Sequence, residues 1–190
     1  QNLAPGTIVC GFQHLAVAPK EVVRQLRERE ATVIGYELIQ NAQGRRAVMG
    51  ALSEIAGRMT INTATSLLEH DSGGRGVLLG SVPGIPPSTV VILGAGTVGR
   101  TAASLAIALG AHVIVLDADI ERLRDVNSET GGLAVTSVAS ERNLRRFTKI
   151  ADVLIGAVAL PGGRAPFLVT EEMVSAMKPG SAILDLSIDQ

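Results

Sequence analysis

The stretch TVVILGAGTVGRTAASLAIALGAHVIVLD, residues 89–117, decides the fold of this chain. It opens with an apolar run, 89–93, and continues through the glycine turn Gly94-Ala95-Gly96-Thr97-Val98-Gly99. Small residues follow at helical spacing, and a second apolar run ends in Asp117. The order is strand, glycine turn, helix, strand and acid, which is typical of a dinucleotide-binding unit.

Each position of the glycine turn has a physical role in that interpretation. Gly94 lets the chain turn sharply off the first strand, and Gly96 keeps a side chain away from the pyrophosphate. Gly99 lets the following helix lie close to the sheet. The helix N-terminus, with Thr97 and Val98, offers unpaired N–H groups and partial positive charge to the phosphates.

The acid at the end of the second strand predicts which dinucleotide binds. Asp117 lies 23 residues after Gly94, where a carboxylate accepts hydrogen bonds from the ribose hydroxyls. A negative charge there repels a 2′-phosphate, so the sequence favours NAD over NADP. Asp119 is a competing candidate, but we expect the strand to end at Asp117.

Composition excludes several other classes of protein. Hydrophobic residues make up 46% of the chain and aromatic residues only 2%, which suits a core of buried parallel strands under small-residue helices. The net charge of −1, without a basic cluster, argues against nucleic acid as a partner. The sequence shows no membrane-length apolar run, signal peptide or metal-ligand cluster. Its single cysteine, Cys10, is expected in the core and fits a reducing cytoplasm.

Apolar runs alternate with helical patterns from residue 89 onward. This alternation predicts an α/β fold of Rossmann type, with a doubly wound parallel sheet. We count five strands where the dinucleotide fold usually has six. The runs cover residues 89–93, 112–117, 133–138, 152–157 and 182–187.

The first part of the chain predicts a partial second α/β domain. Residues 7–40 have a strand–helix–strand pattern, with Val22, Val23 and Leu26 on the inward face of the helix. Because the chain begins and ends inside such units, we expect a middle piece of a longer protein or an unusually short relative. The predicted segments are a partial domain over 1–50, a connecting helix and loop over 51–87, with the helix at 52–70, and the dinucleotide-binding domain over 88–190.

Short sequence blocks, spread over essentially the whole chain, support a more specific interpretation. They are FQHLA (12–16), GYE (35–37), LSEIAGR (52–58), GGRGVLLG (73–80), VPG (82–84), the glycine turn, VLD (115–117), IGAV (155–158), MKPG (177–180) and IDQ (188–190). In this order the blocks closely resemble the bacterial alanine dehydrogenases, which are relatives of the NAD-binding subunit of proton-translocating transhydrogenase. The resemblance implies reversible oxidative deamination of L-alanine to pyruvate and ammonia, with NAD as the cofactor.

The resemblance also implies roles for individual residues. His14 and Asp189 would flank the reacting carbon, where an imidazole holds the carbonyl oxygen and a carboxylate relays protons. One further family contact, a serine after the third strand, falls at Ala139, next to Ser140. The family's contacts to the cofactor map to Ser53, Asp117, Arg122, Val158, Ala159, Leu186, Ser187, Ile188 and Asp189.

Several alternatives stay open at this point. Ser53 could instead be a helix N-cap. The family's substrate-binding Arg and Lys lie in an N-terminal stretch that this chain lacks, so we expect the 190 residues alone to have little or no activity. The rival functions are a non-catalytic NAD-binding fragment or regulatory relative, and the NAD-binding unit of a transhydrogenase. The histidine block and Asp189 favour the dehydrogenase, and because the family's members are often hexamers we expect a homo-oligomer.

Overall fold

The computed structural model describes residues 3–15, 17–158 and 168–188 of the chain. These residues divide into two compact units, an N-terminal unit, Gln1–Ser53, and a C-terminal unit, Glu54–Gln190. Two predicted site residues, Ala159 and Asp189, lie outside the described residues.

The N-terminal unit contains one strand–helix–strand motif. Strands β1 (Ile8–Gly11) and β2 (Thr32–Gly35) pair in parallel, and helix α1 (Lys20–Glu28) connects them. The predicted order of elements is therefore confirmed.

The predicted burial in this unit is wrong. None of its described residues is buried, and Cys10 is exposed instead of lying in a core. Val22 and Val23 of α1 are 43% and 41% exposed. Two strands and one helix provide too few layers to enclose apolar side chains, so an inward-facing pattern alone does not bury them.

A five-stranded parallel sheet forms the centre of the C-terminal unit, which confirms the predicted α/β class. Its strands lie in the order β5-β4-β3-β6-β7. The chain therefore adds strands on one side of β3 and then returns to add strands on the other side. The strands are β3 (Thr89–Leu93), β4 (His112–Asp117), β5 (Val135–Val138), β6 (Val153–Gly156) and β7 (Ala182–Asp185).

Helices cover both faces of this sheet. Helix α2 spans Ala47–Leu68, so it begins before the predicted residue 52, and Ser53 lies inside the helix and is not its N-cap. None of the helices in the described ranges is long and apolar enough to cross a membrane. The others are α3 (Thr97–Ala108), α4 (Ile120–Glu129), α5 (Glu141–Ile150) and α6 (Glu171–Ser175).

Alternate residues of the strands enter two separate cores. On one face, Val90 and Ile92 of β3 are fully buried in a cluster that includes side chains from α2, α3 and α4. On the other face, Val91 and Leu93 join a cluster with α5 and the region of α6. The small residues of α3 are buried as predicted, and they allow this helix to lie close to the sheet. They are Gly99, Ala102, Ala103 and Ala106.

Candidate functional site

The turn between β3 and α3 requires glycine at two of its three glycine positions. Gly94 has φ +107°, and a Cβ atom there would lie 2.5 Å from the carbonyl oxygen of Ala157. A Cβ on Gly99 would collide with the carbonyl oxygen of Gly94. Both glycines therefore allow backbone segments to approach each other more closely than any side chain would permit.

Gly96 is different, because the protein itself does not require a glycine there. Its φ is −72°, which any residue adopts, and, chain neighbours apart, a Cβ would meet no atom of the described residues within 4 Å. Gly96 is the N-cap of α3, and it provides no side-chain hydrogen bond to the first turn of the helix. The described part of the chain thus leaves space before the helix N-terminus, as an incoming pyrophosphate requires.

Asp117 links the end of β4 to the glycine turn. Its Oδ2 accepts a hydrogen bond from the backbone N–H of Ala95 at 2.7 Å, and its Oδ1 accepts one from the N–H of Asp119 at 2.9 Å. The Asp117 side chain is 11% exposed. A carboxylate offers about four acceptor positions, and the hydrogen bonds among the described residues use two of them.

The neighbouring acid has a structural role. Asp119 is the N-cap of α4, and its Oδ1 accepts a hydrogen bond from the N–H of Glu121 at 2.9 Å. The strand ends at Asp117, as predicted. Arg122 brings a positive charge beside both acids, with its Nη1 4.0 Å from Asp117 Oδ2 and its Nε 3.6 Å from Asp119 Oδ2.

The remaining predicted residues of this unit follow the carboxyl ends of β6 and β7. Val158 lies beside the glycine turn, since its backbone nitrogen is 3.1 Å from the position of a Cβ on Gly94. After β7, the N–H of Leu186 donates to the carbonyl of Gly156 at 2.9 Å, and Ile188 is 77% exposed. The N–H of Ser187 donates to Asp185 Oδ1 at 2.8 Å.

These residues gather where the strand order reverses. Strands β4 and β6 lie on opposite sides of β3, and the chain leaves all of them at the carboxyl edge of the sheet. In open parallel sheets, ligands bind in the crevice at this switch point. The structure thus brings the glycine turn, Asp117, Arg122 and Val158 to one edge.

The sequence blocks GGRG and MKPG contribute to the opposite edge. Asp152 precedes β6, and its carboxylate is 2.9 Å from the Nζ of Lys178 and 3.4 Å from the Nη1 of Arg75. It also accepts a hydrogen bond at 2.8 Å from the N–H of Thr89, the first residue of β3. This cluster joins the amino ends of two strands, and the sequence patterns did not reveal it because its members are far apart in the chain.

Two predicted site residues belong to the N-terminal unit. His14 follows β1 and is exposed, and its φ of +44° is unusual for a residue other than glycine. Ser53 is half-buried within α2, at the last position of this unit.

The fold and this edge define a class of protein. A parallel doubly wound sheet, a glycine turn with an open helix N-terminus, and an acid at the end of the next strand together form a dinucleotide-binding domain of Rossmann type. The family model described as alanine dehydrogenase/PNT, C-terminal domain, matches residues 60–190. The chain belongs to this family and comprises its NAD-binding domain.

Individual relatives agree with this assignment. The chain is 43% identical to an alanine dehydrogenase of Methanococcus maripaludis, an alignment that covers 97% of this chain and 49% of the relative. It is 42% identical to an alanine dehydrogenase of Mycobacterium tuberculosis strain H37Rv, across 100% of this chain and 51% of the relative. The chain thus spans about half the length of the curated relatives it matches.

Solved structures give the same result. An L-alanine dehydrogenase matches with a TM-score of 0.90 and 38% identity, over 99% of this chain and 52% of that one. A transhydrogenase from Sinorhizobium meliloti matches with a TM-score of 0.81 and 23% identity, over 98% of this chain and 55% of that one. At that identity, the second likeness shows the shared fold alone.

Proposed function

We propose that the protein containing this chain is an NAD-dependent alanine dehydrogenase, which interconverts L-alanine with pyruvate and ammonia. The observation that carries the proposal is the carboxyl edge of the C-terminal unit, where Asp117 is fixed to a glycine turn whose helix N-terminus is open. The choice of substrate follows from relatives named alanine dehydrogenase that are about 40% identical over the whole chain.

Residues at this edge would hold the cofactor, which supplies a two-electron acceptor when bound. The N–H groups of the turn 94–99 and of the first turn of α3 would donate hydrogen bonds to the pyrophosphate. The two free acceptor positions of Asp117 would receive the ribose hydroxyls, and its negative charge would exclude a 2′-phosphate. Val158 and the segment 186–188 would contact the cofactor beyond the ends of β6 and β7, with Ala159 and Asp189 completing this set.

His14 and Asp189 are proposed as the catalytic pair. In the oxidative direction the α-carbon loses two electrons, water provides the carbonyl oxygen and ammonia leaves. An imidazole is suited to donate a hydrogen bond to the developing carbonyl oxygen, and a carboxylate is suited to take a proton from water. The assignment of both residues rests on the family resemblance.

A transhydrogenase unit and a non-catalytic NAD-binding module are the alternatives. The test is to supply the native protein with L-alanine and NAD⁺ and to follow the absorbance of NADH. A parallel assay measures hydride transfer from NADH to an NADP⁺ analogue. Alanine-dependent NADH formation is expected. Transfer between the nucleotides without alanine turnover would favour transhydrogenase, and NAD binding with neither reaction would leave a binding module.

The assembly and the compartment are also proposals. We propose a homo-oligomer, because members of the alanine dehydrogenase family are often hexamers. We propose a cytoplasmic location, because the single cysteine in these 190 residues suits a reducing environment. Sedimentation of the native protein checks the first point, and fractionation of the source cells checks the second. A monomer by sedimentation would contradict the proposed assembly.

A further inference from the structure

Two segments of the N-terminal unit leave its parallel strands side by side. Gly11 at the end of β1 pairs with Gly35 at the end of β2, so the residues that follow run in the same direction. The carboxylate of Glu37 reaches across from the second segment to the first. Its Oε1 accepts a hydrogen bond from the backbone N–H of His14 at 2.9 Å, and its Oε2 accepts one from the N–H of Gln13 at 3.2 Å.

This double contact coincides with an unusual backbone conformation. His14 has φ +44°, in the left-handed region that residues other than glycine rarely adopt. Such a conformation persists only where the surroundings stabilise it. Successive N–H groups in a bend of this kind form a small concavity that binds an anion, and here the Glu37 carboxylate occupies it.

Gly35 makes room for the same carboxylate. A Cβ atom on Gly35 would lie 2.8 Å from Glu37 Oε1. The φ of Gly35 is −80°, so its backbone conformation does not require glycine. The lack of a side chain at Gly35 therefore leaves room for the Glu37 carboxylate.

The hydrogen bonds also keep the carboxyl ionised. The pKa of Glu37 lies below its usual value, mainly because its carboxylate accepts its own backbone N–H, with contributions from the N–H groups of His14 and Gln13. Glu37 therefore stays ionised to a lower pH than an ordinary glutamate, and its charge strengthens the hydrogen bonds to the bend.

We propose that Glu37 is a positioning residue for His14: its carboxylate holds the 13–14 backbone in the left-handed bend and so fixes the direction in which the imidazole meets the substrate. The proposal rests on the catalytic role of His14 given above. Glu37 acts through the backbone of His14 and has no contact with substrate in this scheme. The sequence block GYE contained Glu37, but spacing alone did not indicate that it would face His14.

The test compares variants of the native protein in alanine turnover and in NAD binding. Glu37→Ala removes both acceptors, and a small error in the placement of a reacting group typically lowers kcat by about 10²-fold. We expect such a loss in kcat, with a smaller change in KM for alanine and an unchanged Kd for NAD. Glu37→Gln retains one acceptor oxygen and should restore part of kcat. Glu28→Ala is the matched control, because Glu28 belongs to the same unit and its carboxylate forms an exposed ion pair with Arg24.

A second variant moves the carboxylate without removing it. Gly35→Ala places a methyl group 2.8 Å from the position of Glu37 Oε1, and the flexible glutamate is the group that must shift. We expect a loss of kcat in this variant as well. Hydrogen–deuterium exchange of peptides covering residues 12–15 gives a readout that does not depend on activity. Exchange should accelerate in Glu37→Ala and Gly35→Ala and stay unchanged in Glu28→Ala.

The outcomes separate the two proposals. If His14→Ala abolishes turnover while Glu37→Ala retains normal kcat and normal exchange, the positioning role is wrong. If His14→Ala turns over normally, the catalytic role of His14 fails instead. In that case the exchange of residues 12–15 still decides whether Glu37 holds the bend.

Discussion

The carboxylate of Asp117 accepts a hydrogen bond from the backbone N–H of Ala95 at 2.7 Å. The acid at the end of β4 therefore fixes the position of the glycine turn that follows β3. The same side chain is proposed to have a second role, because its remaining acceptor positions are those assigned to the ribose hydroxyls under the proposed function. Its replacement should affect both the local structure of the turn and the choice of dinucleotide.

Replacement of Asp117 by alanine should weaken NAD binding. It should also reduce the ratio by which the protein prefers NAD to NADP. Each lost hydrogen bond between a ribose hydroxyl and the charged group is worth about 1.5–3 kcal/mol. Titration calorimetry with NAD and NADP measures both effects. Asp125→Ala is a suitable control, because Asp125 is an exposed acid of α4 whose carboxylate lies 3.5 Å from Arg100. Equal or tighter binding of NADP by the unaltered protein would contradict the assignment of NAD.

Replacement of Gly96 by alanine should separate binding from stability. Chain neighbours apart, the methyl group would meet no atom of residues 3–15, 17–158 or 168–188 within 4 Å, so the free energy of unfolding should hardly change. The same methyl group would project into the space proposed for the pyrophosphate and should weaken NAD binding by about 1–3 kcal/mol. Gly50→Ala, another position with open space, should leave binding unchanged.

Gly99→Ala gives the opposite pattern in the same turn, since its Cβ would meet the Gly94 carbonyl oxygen. We expect a loss of about 1–3 kcal/mol or more in the free energy of unfolding, measured by urea titration. Unaltered NAD affinity in Gly96→Ala would show that the pyrophosphate lies elsewhere.

Replacement of Asp152 by alanine should destabilise the protein without changing its affinity for NAD. The Asp152 side chain is 9% exposed and neutralises Lys178 and Arg75, so its removal leaves both cations unpaired in a partly buried environment. Loss of one partner from such a cluster costs about 3–5 kcal/mol when it is fully buried, and somewhat less here because the two cations keep some contact with water. Because this cluster lies at the amino edge of the sheet, NAD affinity of the folded protein should be unchanged.

Glu172→Ala provides the comparison for Asp152. Its carboxylate pairs with Arg145 at 3.1 Å, but its side chain is 79% exposed. An exposed pair of this kind contributes about 0–1 kcal/mol. Similar losses of stability in the two variants would contradict the interpretation of Asp152.

Replacement of Thr148 by valine should stabilise the protein. Thr148 is 1% exposed, and its Oγ1 has no hydrogen-bond partner among the residues that the structure describes. Exchange of this hydroxyl for a methyl group removes a buried unsatisfied polar atom and should raise the free energy of unfolding by about 1 kcal/mol.

Thr130→Val is the matched control, because Thr130 is similarly buried but its Oγ1 donates to the carbonyl of Val126 at 2.8 Å. The free energy of unfolding of that variant should fall by about 1 kcal/mol. Thermal unfolding of both proteins measures the difference, and a loss of stability in Thr148→Val would mean that its hydroxyl is satisfied in solution.

The sequence predicted the parts of the molecule that depend on local patterns. The five apolar runs became the five parallel strands, and the glycine turn lies between β3 and α3 as expected. These features depend on periodicity and on backbone geometry, both of which are visible within a few residues. The end of the second strand was also predictable, because β4 ends at Asp117 and leaves Asp119 to cap α4.

The sequence did not predict features that depend on distant parts of the chain. Cys10 and Val22 have the pattern of buried residues, but burial depends on the layers that cover them. The contact of Glu37 with His14 joins residues 23 positions apart, through hydrogen bonds to backbone N–H groups that no pattern of side chains reveals. The ion cluster of Asp152 likewise joins three separate segments.

The absence of buried side chains among the described residues of the N-terminal unit determines what a calorimeter would record for these 190 residues. Unfolding enthalpy comes from structure that is packed at the start, about 0.7 kcal/mol per residue near 60 °C. All the buried residues that the structure describes belong to the C-terminal unit, Glu54–Gln190, so for these 190 residues alone the heat absorbed should lie nearer to about 95 kcal/mol than to the roughly 130 kcal/mol of a fully packed chain. Melting temperatures of this chain would then report substitutions near Asp117 and remain almost insensitive to substitutions around His14.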